Sequence, residues 1–352
     1  MSFRQKEEAM NKIKENDFAK YLSYFLSRYL PGQQNVSPNT VSSYRDAFKL
    51  FLIFFDDEKG YRCELIRMCT ITKETVLEFL DWLEEHRKCS IATRNQRLAA
   101  LHAFFRYVQR ESPENLFEIQ KILAIPIKKK PKPVISYLTA SEMEILLRLP
   151  DRSSESGKRD LVLLAILYDT AARAQELINI TYRDIRLEKP AVISLLGKGR
   201  KTRQVPIMGN TRDLLENYLK GRGLTRGVAP ADIPVFCNQQ NRKLTRRGIS
   251  YIINKYVEKA RQDPKFHNNG IITPHVFRHS KSMHMLQAGI NLIYIRDYLG
   301  HASITSTEIY SRADSEMKRK VLESAYQELN TGQVPTWEKD GDLMNWLQNL
   351  CK

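Results

Sequence analysis

The chain has 352 residues, of which 56 are Lys or Arg and 40 are Asp or Glu, so its formal net charge is +16. With 42% hydrophobic residues it is long enough for two domains, each with its own core. No apolar run approaches the ~20 residues of a membrane span, and the N-terminus lacks the apolar core of a signal peptide. We therefore expect a soluble, cytoplasmic protein. The positive excess favours nucleic acid as the partner, with solubility alone as the alternative explanation.

The cysteines give no sign of disulfides or of a zinc site. They are odd in number, and none forms a C-x-x-C pair. This pattern favours reduced thiols. The five positions are Cys63, Cys69, Cys89, Cys237 and Cys351.

The first part of the chain predicts an all-helical domain. Residues 1–16 are polar and are expected to form a tail. Apolar residues then recur at helical spacing up to Leu30, where Pro31 and Gly32 are expected to end the helix. Ser37 and Pro38 have the cap-then-proline pattern of a helix start. Further helices are predicted over residues 72–87, 90–110 and 114–123, which together make residues 17–124 a compact bundle with an aromatic core.

Polar residues on two of these helices could contact phosphates or base edges of DNA. Ser43 and Arg45 follow the helix start at Ser37, and a second group, Thr93, Arg94 and Arg97, is expected on the polar side of the helix over residues 90–110. An ordinary solvated helix face is an equally good interpretation of each of these residues.

Residues 125–137 form a basic linker. Prolines at positions 126, 131 and 133 forbid a helix, so an extended strap between two domains is expected. Its lysines could lie along a DNA backbone, although a solvated linker without contacts is the alternative. These lysines are Lys128, Lys129, Lys130 and Lys132.

Residues 138–330 predict a second domain that is mainly helical with a small hairpin. Thr139 and Glu142 form a capping box at its start, and the apolar segment from Arg159 to Asp169 predicts a buried central helix. Two strands, Val192–Leu196 and Thr202–Ile207, flank a Gly-Lys-Gly-Arg turn. Helices are predicted over residues 210–219, 245–261, 273–289, 292–299 and 315–329, and Arg246 and Arg247, at the start of the second of these, are candidate DNA contacts.

Residues 331–352 are expected to form a tail with a short amphipathic helix. An apolar stripe of about ten residues cannot hold a helix by itself, so it needs a partner surface. The second domain of the same chain is one candidate for that surface. The stripe consists of Leu343, Met344, Trp346, Leu347 and Leu350.

The chemically informative stretch runs from Thr273 to Tyr310. It contains Thr-Pro-His-Val-Phe-Arg, then Leu-Gly-His and then Tyr310. His275 and Arg278 are three residues apart and project from one face of a helix start, which suits a phosphate oxygen. The Tyr310 phenol, nine positions after His301, could act as a nucleophile.

These motifs resemble the tyrosine recombinases, also called the phage integrase family. Residues 170–177, around Arg173, resemble the first arginine box of the family, and residues 197–200 resemble its lysine hairpin. The resemblance covers roughly residues 138–325 well and the preceding part more loosely. It implies a two-domain, C-shaped clamp that joins a helical core-binding domain to a mixed α/β catalytic domain. It also implies a C-terminal element that docks on a neighbouring protomer, which is the other candidate partner of the C-terminal stripe. One departure is Ala171, where the family commonly has Gly; we expect a slightly tighter turn that still aims Arg173 correctly.

The resemblance also implies a role for each site residue. Tyr310 would be the nucleophile, and the two arginines would clamp the non-bridging oxygens of the scissile phosphate. Lys198 would be the general acid, with Lys201 as its competitor. Glu176 would orient the cationic cluster or serve as a salt-bridge partner, and His279 and His284 are expected to be structural. The implied catalytic set is Arg173, Lys198, His275, Arg278, His301 and Tyr310.

The implied reaction needs neither metal nor ATP, and no cofactor is predicted. The Gly-Lys-Gly-Arg turn lacks the spacing of a nucleotide-binding loop, and no Asp/Glu triad suggests a two-metal nuclease. The implied partners are double-stranded DNA with specific recombination sites, three further copies in a homo-tetramer on two such sites, and accessory recombination proteins. Without DNA, a monomer or weak dimer is expected, and on DNA a location at the bacterial nucleoid.

The implied activity is site-specific recombination for integration, excision or transposition of a mobile element. Resolution of chromosome or plasmid dimers, as in Xer recombinases, is one alternative. Relaxation of supercoils by type IB topoisomerase chemistry is another. A DNA-binding accessory protein with a degenerate site is the alternative from a different functional class.

Overall fold

The computed structural model describes residues 17–129, 135–197, 199, 201–224, 230–300, 307, 346 and 349–350. Contacts divide the chain into two compact units, Met1–Lys132 and Pro133–Lys352. Within the described part of the chain, no helix is both long and apolar enough to cross a membrane.

The first unit is all-helical in its described part. Side-chain oxygens of Ser37, Thr72 and Ser90 accept the amide of the residue three positions on and thereby begin three of the helices. Short 3₁₀ turns at Cys63–Leu65, Met68–Thr70 and Pro113–Asn115 connect the helices. In chain order the helices are α1 (Asp17–Tyr24), a π-helical segment (Phe25–Gln33), α2 (Pro38–Lys59), α3 (Lys73–Glu85), α4 (Ile91–Glu111) and α5 (Leu116–Leu123).

The prediction that Pro31 and Gly32 end the first helix is wrong. The helix continues to Gln33 with Pro31 inside it. It does so by changing to the wider π-type bonding, in which the Gln34 amide reaches back five residues to the Tyr29 carbonyl at 3.0 Å.

The core of the first unit is aromatic, as predicted. Phe25 is fully buried, and its ring lies edge-on to the ring of Phe104 with the centroids 5.4 Å apart. Phe48 and Phe51 of α2 are also buried, and Phe51 contacts Phe79 of α3 edge-on at 4.9 Å. Edge-to-face pairs of this kind join α2, α3 and α4 in one core.

The second unit combines helices with a small sheet. The predicted capping box is confirmed, because Thr139 and Glu142 satisfy each other's amides at the start of α6. The helix predicted over residues 315–329 and most of the C-terminal stripe lie outside the described residues. The elements are α6 (Ala140–Arg148), α7 (Glu155–Thr170), α8 (Ala174–Asn179), β1 (Ile185–Arg186), β2 (Val192–Leu196), β3 (Thr202–Pro206), α9 (Gly209–Gly221), α10 (Arg246–Ala260), α11 (Pro274–Gln287) and α12 (Leu292–Leu299).

The sheet is antiparallel in the order β1-β2-β3. Ile193 is paired with Ile185 on one side and Val205 on the other, so an apolar row crosses the sheet and faces the core. β1 was not predicted, because two residues carry too little pattern to indicate a strand. The fold is therefore mainly helical with a small sheet, as predicted.

Candidate active site

The site is organised around the end of α7, a helix buried on nearly all sides. The residue after it, Ala171, is fully buried and has φ +47° and ψ +34°, which is the left-handed region. A residue with a Cβ pays roughly 1–2 kcal/mol for this conformation, whereas glycine adopts it freely. The sequence predicted only a tighter turn at Ala171. The observed left-handed turn explains why glycine would fit this position.

Two residues later, Arg173 occupies the N-cap position of α8. Its backbone amide donates to Oε2 of Glu176 at 2.9 Å, and its guanidinium Nη1 donates to Oε1 at 2.7 Å. The carboxylate is only 4% exposed, while the Arg173 side chain is 33% exposed. Glu176 therefore anchors Arg173 and leaves part of its guanidinium open to solvent.

A third residue, Arg203 of β3, was missed in the sequence. Its Nη1 and Nη2 donate to Oε1 and Oε2 of Glu176 at 3.0 and 2.8 Å, and its Nε donates to the Tyr298 carbonyl at 3.2 Å. The available signal was strand alternation. Arg203 lies two residues before the buried Val205 and so faces inward, where an arginine requires a carboxylate partner.

The two arginines control the charge of Glu176. Burial alone would raise the pKa of this carboxyl, but the hydrogen bonds from Arg203 and from the Arg173 amide outweigh burial and lower its pKa to about 2. Glu176 is therefore ionised at neutral pH, and it balances part of the positive charge of the site.

Helix α11 supplies the next two site residues. Thr273 occupies the N-cap position as predicted, but its side chain makes no capping bond, and the Val276 amide bonds to the Thr273 carbonyl instead. Arg278, one turn into the helix, is 3% exposed. Its Nη1 donates to the Ala171 carbonyl at 2.7 Å and its Nη2 to the Leu299 carbonyl at 2.5 Å. Arg278 thus joins α11 to the ends of α7 and α12.

His275 lies beside both candidate arginines. Its side chain reaches solvent, yet the surrounding protein desolvates the ring enough to lower its pKa, and the charges of Arg278 and Arg173 lower it further. The structure therefore brings Arg173, His275, Arg278 and Glu176 together. These residues come from the α7–α8 turn and from the first turns of α8 and α11.

Two further histidines of α11 lie near the site. The His279 ring is 6.5 Å from the His275 ring, and burial together with the charges of His275 and Arg278 lowers its pKa to about 4. His284 shares a 2.8 Å hydrogen bond through Nδ1 with the Tyr168 hydroxyl. His284 thus ties α11 to α7, in keeping with the structural role expected for it.

Lys198, His301 and Tyr310 lie outside the described residues. Their neighbours in the chain are described. The Gly197 amide bonds to the Lys201 carbonyl at 2.8 Å, and Gly300, with φ +63°, caps α12. Among the residues that the structure describes, no group of three or more His, Cys, Asp or Glu is arranged to hold a metal ion.

Two of the DNA-contact candidates of the first unit, Ser43 and Arg97, lie where α2 and α4 meet. Arg97 Nη1 donates to the Ser43 carbonyl at 3.1 Å. Arg45 is exposed, and its Nη2 lies 2.9 Å from Oδ1 of Asp46. Thr93 lies in the first turn of α4, 3.1 Å from the Ser90 hydroxyl. The contacts of these residues with DNA stay a prediction.

The expected position of Arg94 on the polar side of α4 is wrong. This residue is 3% exposed, and its Nη1 donates to Asn95 at 3.2 Å. The physical reason is helical spacing, because Leu98 and Leu101 follow at four and seven residues on the buried face.

The start of the linker is packed against the first unit. The Lys128 amide donates to Oδ1 of Asn95, and Nδ2 of Asn95 donates to the Lys128 carbonyl. The Lys128 ammonium pairs with Glu84. Lys129 is exposed, and Lys130 and Lys132 lie outside the described residues. The linker's contacts with DNA stay a prediction.

In the second unit, Arg246 and Arg247 are exposed at the start of α10. Arg246 Nε donates to Oε1 of Gln175 at 3.0 Å, and Gln175 lies on the same short helix that Arg173 caps. Arg246 is therefore bonded to the helix that begins at Arg173.

Comparison with known proteins gives consistent matches along the chain. Residues 136–317 match the Phage integrase family, and residues 24–112 match the Phage integrase, N-terminal SAM-like domain. The integrase/recombinase y4rC of Sinorhizobium fredii is 34% identical over 330 residues, which cover 93% of this chain and 96% of the relative. The tyrosine recombinase XerC of Bacillus subtilis is 30% identical over 308 residues, which cover 84% of this chain and 93% of the relative.

Solved structures share the fold. The Tn1549 transposon integrase in complex with transposon right end DNA aligns with a TM-score of 0.64 and 19% identity, over 86% of this chain and 99% of that one. The XerH site-specific recombinase bound to difH substrate aligns with a TM-score of 0.63 and 24% identity, over 85% of this chain and 83% of that one. The chain thus belongs to the phage integrase family and is a tyrosine recombinase, an enzyme that breaks and rejoins DNA strands.

Proposed function

We propose that the protein is a site-specific recombinase in which Tyr310 attacks a scissile phosphate of DNA. The phenolic oxygen forms a bond to phosphorus, and the bond from phosphorus to the 5′ oxygen breaks. The product is a 3′-phosphotyrosyl link and a 5′ hydroxyl, which receives its proton from Lys198. Attack by a 5′ hydroxyl of the partner duplex reverses these steps and releases the tyrosine.

The observation that carries this proposal is the grouping of Arg173, His275 and Arg278. Arg173 and Arg278 are 105 residues apart in the sequence, yet the charges of both lower the pKa of the His275 ring. Two fixed guanidinium groups beside one imidazole suit a transition state that carries extra negative charge on phosphate oxygens.

The grouping also supports a chemical role for each residue. The guanidinium groups cannot lose their protons, so they provide charge at every working pH. The lowered pKa of His275 favours a neutral imidazole at neutral pH, which can accept a proton from the attacking phenol or donate its N–H to a phosphate oxygen. His301 would donate to another phosphate oxygen. Because the energy of the broken bond is retained in the phosphotyrosine, the cycle requires no cofactor.

We further propose that the reaction serves integration, excision or transposition of a mobile element. Four protomers would act on two DNA sites, each cutting one strand, in the cytoplasm where the DNA is. Chromosome or plasmid dimer resolution is the second candidate, and the similarity to XerC proteins favours it.

The test is covalent trapping on nicked duplexes taken from the DNA that flanks the coding sequence. A nick next to the cleavage site lets the short fragment with the 5′ hydroxyl diffuse away, so the covalent complex accumulates on a denaturing gel. We expect a band for the wild type and for Tyr294→Phe, the matched control, whose tyrosine is 70% exposed on α12. Tyr310→Phe should give no band, and Arg173→Ala a band weaker by about 100-fold.

Two results would contradict the proposal. A band that persists in Tyr310→Phe would assign the nucleophile to another residue. DNA binding without a covalent band on any duplex would favour the non-catalytic accessory protein. Sequencing of the trapped DNA then separates an element end from a chromosomal dimer-resolution site.

A further inference from the structure

We propose that Arg203 is a positioning residue of the active site, which holds Glu176, and through it Arg173, against the hairpin and the Leu299–Gly300 turn. This inference rests on the proposed recombinase function. Arg203 is not a member of the predicted catalytic set, and its hydrogen bonds within the described residues go to Glu176 and Tyr298. It would act by fixing the segments that carry the catalytic side chains.

All three nitrogen atoms of the Arg203 guanidinium have a partner. Two donate to the two oxygens of Glu176 and the third to the Tyr298 carbonyl. The Arg203 side chain is 13% exposed and the carboxylate 4%, so the pair is largely shielded from water. Because the guanidinium is planar and donates to three acceptors in fixed directions, these bonds allow it only one orientation. A lysine ammonium, which lacks this planar geometry, could not make the same set of bonds.

Two glycines show how closely the chain packs around this ion pair. A Cβ added to Gly300 would lie 3.0 Å from Cδ of Arg203, and one added to Gly197 would lie 3.4 Å from Oε1 of Glu176. At Gly300 this is closer than most real Cβ atoms come to a neighbour, and at Gly197 it is about van der Waals contact, so both glycines lie against the pair with little room for a side chain.

The three segments around the pair each lead to a predicted catalytic residue. Gly197 immediately precedes Lys198, Gly300 immediately precedes His301, and Glu176 binds Arg173 itself. One ion pair therefore sets the relative placement of three segments that are distant in the sequence. Misplacement of a catalytic group by about 1 Å can cost about 100-fold in rate, so such a pair matters for catalysis without touching the substrate.

Glu176 also links this arrangement to pH. The charged groups that contact its carboxylate within the described residues are Arg173, from the start of α8, and Arg203, from β3. Without Arg203, burial would raise the pKa of Glu176 and only Arg173 would oppose the rise. Protonated Glu176 would hold Arg173 less firmly, so the loss of Arg203 should make cleavage sensitive to acid.

The test compares single-turnover cleavage of the nicked duplex, at saturating DNA, from about pH 5 to pH 9. The variants are Arg203→Gln, Arg203→Lys and the double variant Arg203→Gln with Glu176→Gln. The matched control is Arg222→Gln, because Arg222 likewise donates to backbone carbonyls of this unit, those of Pro234 and Val235. Fluorescence anisotropy measures DNA affinity, and circular dichroism the folded fraction, for every variant.

We expect Arg203→Gln to cleave about 10- to 100-fold more slowly than the wild type at neutral pH, with DNA affinity changed by less than about threefold. Its rate should fall further toward acid pH than that of the wild type, and the double variant should lack this additional fall. Arg203→Lys keeps the charge without the fork, so it should lose about 3- to 10-fold and show no additional fall. Arg222→Gln should keep the rate profile of the wild type per folded molecule.

The outcomes separate this inference from the proposed function. If the wild type forms no covalent complex, the proposed function fails and the inference fails with it. If the wild type cleaves DNA and Arg203→Gln keeps the wild-type rate and pH profile per folded molecule, Arg203 only stabilises the fold. If Arg203→Gln does not fold, Arg203→Lys decides, because a wild-type rate in that variant overturns the inference.

Discussion

At Ala171 a single backbone conformation places two site residues. The left-handed turn directs the Ala171 carbonyl toward Arg278 and leads the chain into Arg173. The methyl group of Ala171 is itself useful, because it is fully buried against Met283 and Leu286. The residue therefore carries a conformational cost of roughly 1–2 kcal/mol together with a packing gain of about 0.8 kcal/mol for its buried methyl group.

We predict that Ala171→Gly leaves stability within about 1 kcal/mol of the wild type. Glycine relieves the left-handed strain but loses the buried methyl group and adds about 0.5–1 kcal/mol of chain entropy on unfolding. Ala172→Gly is the matched control, because Ala172 is equally buried without a positive φ and so has no strain to relieve. It should lose about 1–2 kcal/mol. Urea unfolding of both variants measures the difference, and equal losses would show that the Ala171 turn stores no strain.

Among the elements, α6 shows how one side chain can anchor two segments. Glu142, 5% exposed, accepts the Thr139 amide at 2.8 Å at the helix start. Its other oxygen accepts the amides of His267 and Asn268 at 3.0 and 2.9 Å. The carboxylate thus caps α6 and holds the chain that follows α10.

We predict that Glu142→Ala destabilises the second unit by about 2–4 kcal/mol. Three amides lose a charged acceptor, and buried donors without partners are costly. Glu144→Ala, on the exposed side of the same helix, removes only an ion pair with Arg148 and should cost less than about 0.5 kcal/mol. Thermal unfolding followed by circular dichroism measures both variants. Equal shifts in Tm would mean that the amides of residues 267 and 268 find other acceptors.

The sequence was most informative where structure is decided by near neighbours. Ser37, Thr72 and Ser90 begin helices because each side chain reaches an amide three residues ahead, a relation that is visible in the sequence. The Arg203–Glu176 pair spans 27 positions, so strand alternation could show that Arg203 faces inward but not which carboxylate it meets.

Backbone conformation was the second quantity that the sequence did not reveal. Nothing in the apolar run of α7 indicates that Ala171 turns left-handed, and the residues buried with it, such as Met283 and Leu286, are distant in the sequence. Side-chain burial on helix α4 was also misjudged from residue type. Arg94 looks polar by residue type, but its position relative to Leu98 and Leu101 places it on the buried face.

On the scale of the whole molecule, the net charge of +16 sets the energetics of the encounter with DNA. Each phosphate that a lysine or arginine neutralises releases condensed counterions, so affinity falls steeply with salt. The exposed arginines at the start of α10 are well placed to contribute, because Arg246 is hydrogen-bonded to Gln175 next to the candidate active site. Arg148 is also exposed but is paired with Glu144.

We predict that Arg246→Ala with Arg247→Ala lowers the salt dependence of DNA binding. If each arginine contacts one phosphate, the slope of log Kd against log salt concentration should fall by about 2. Arg148→Ala should leave the slope unchanged, because its charge is already balanced by Glu144. The measurement is fluorescence anisotropy with a labelled duplex of about 30 base pairs, from about 50 to 300 mM salt. An unchanged slope in the double variant, together with unchanged affinity, would show that the start of α10 does not contact DNA.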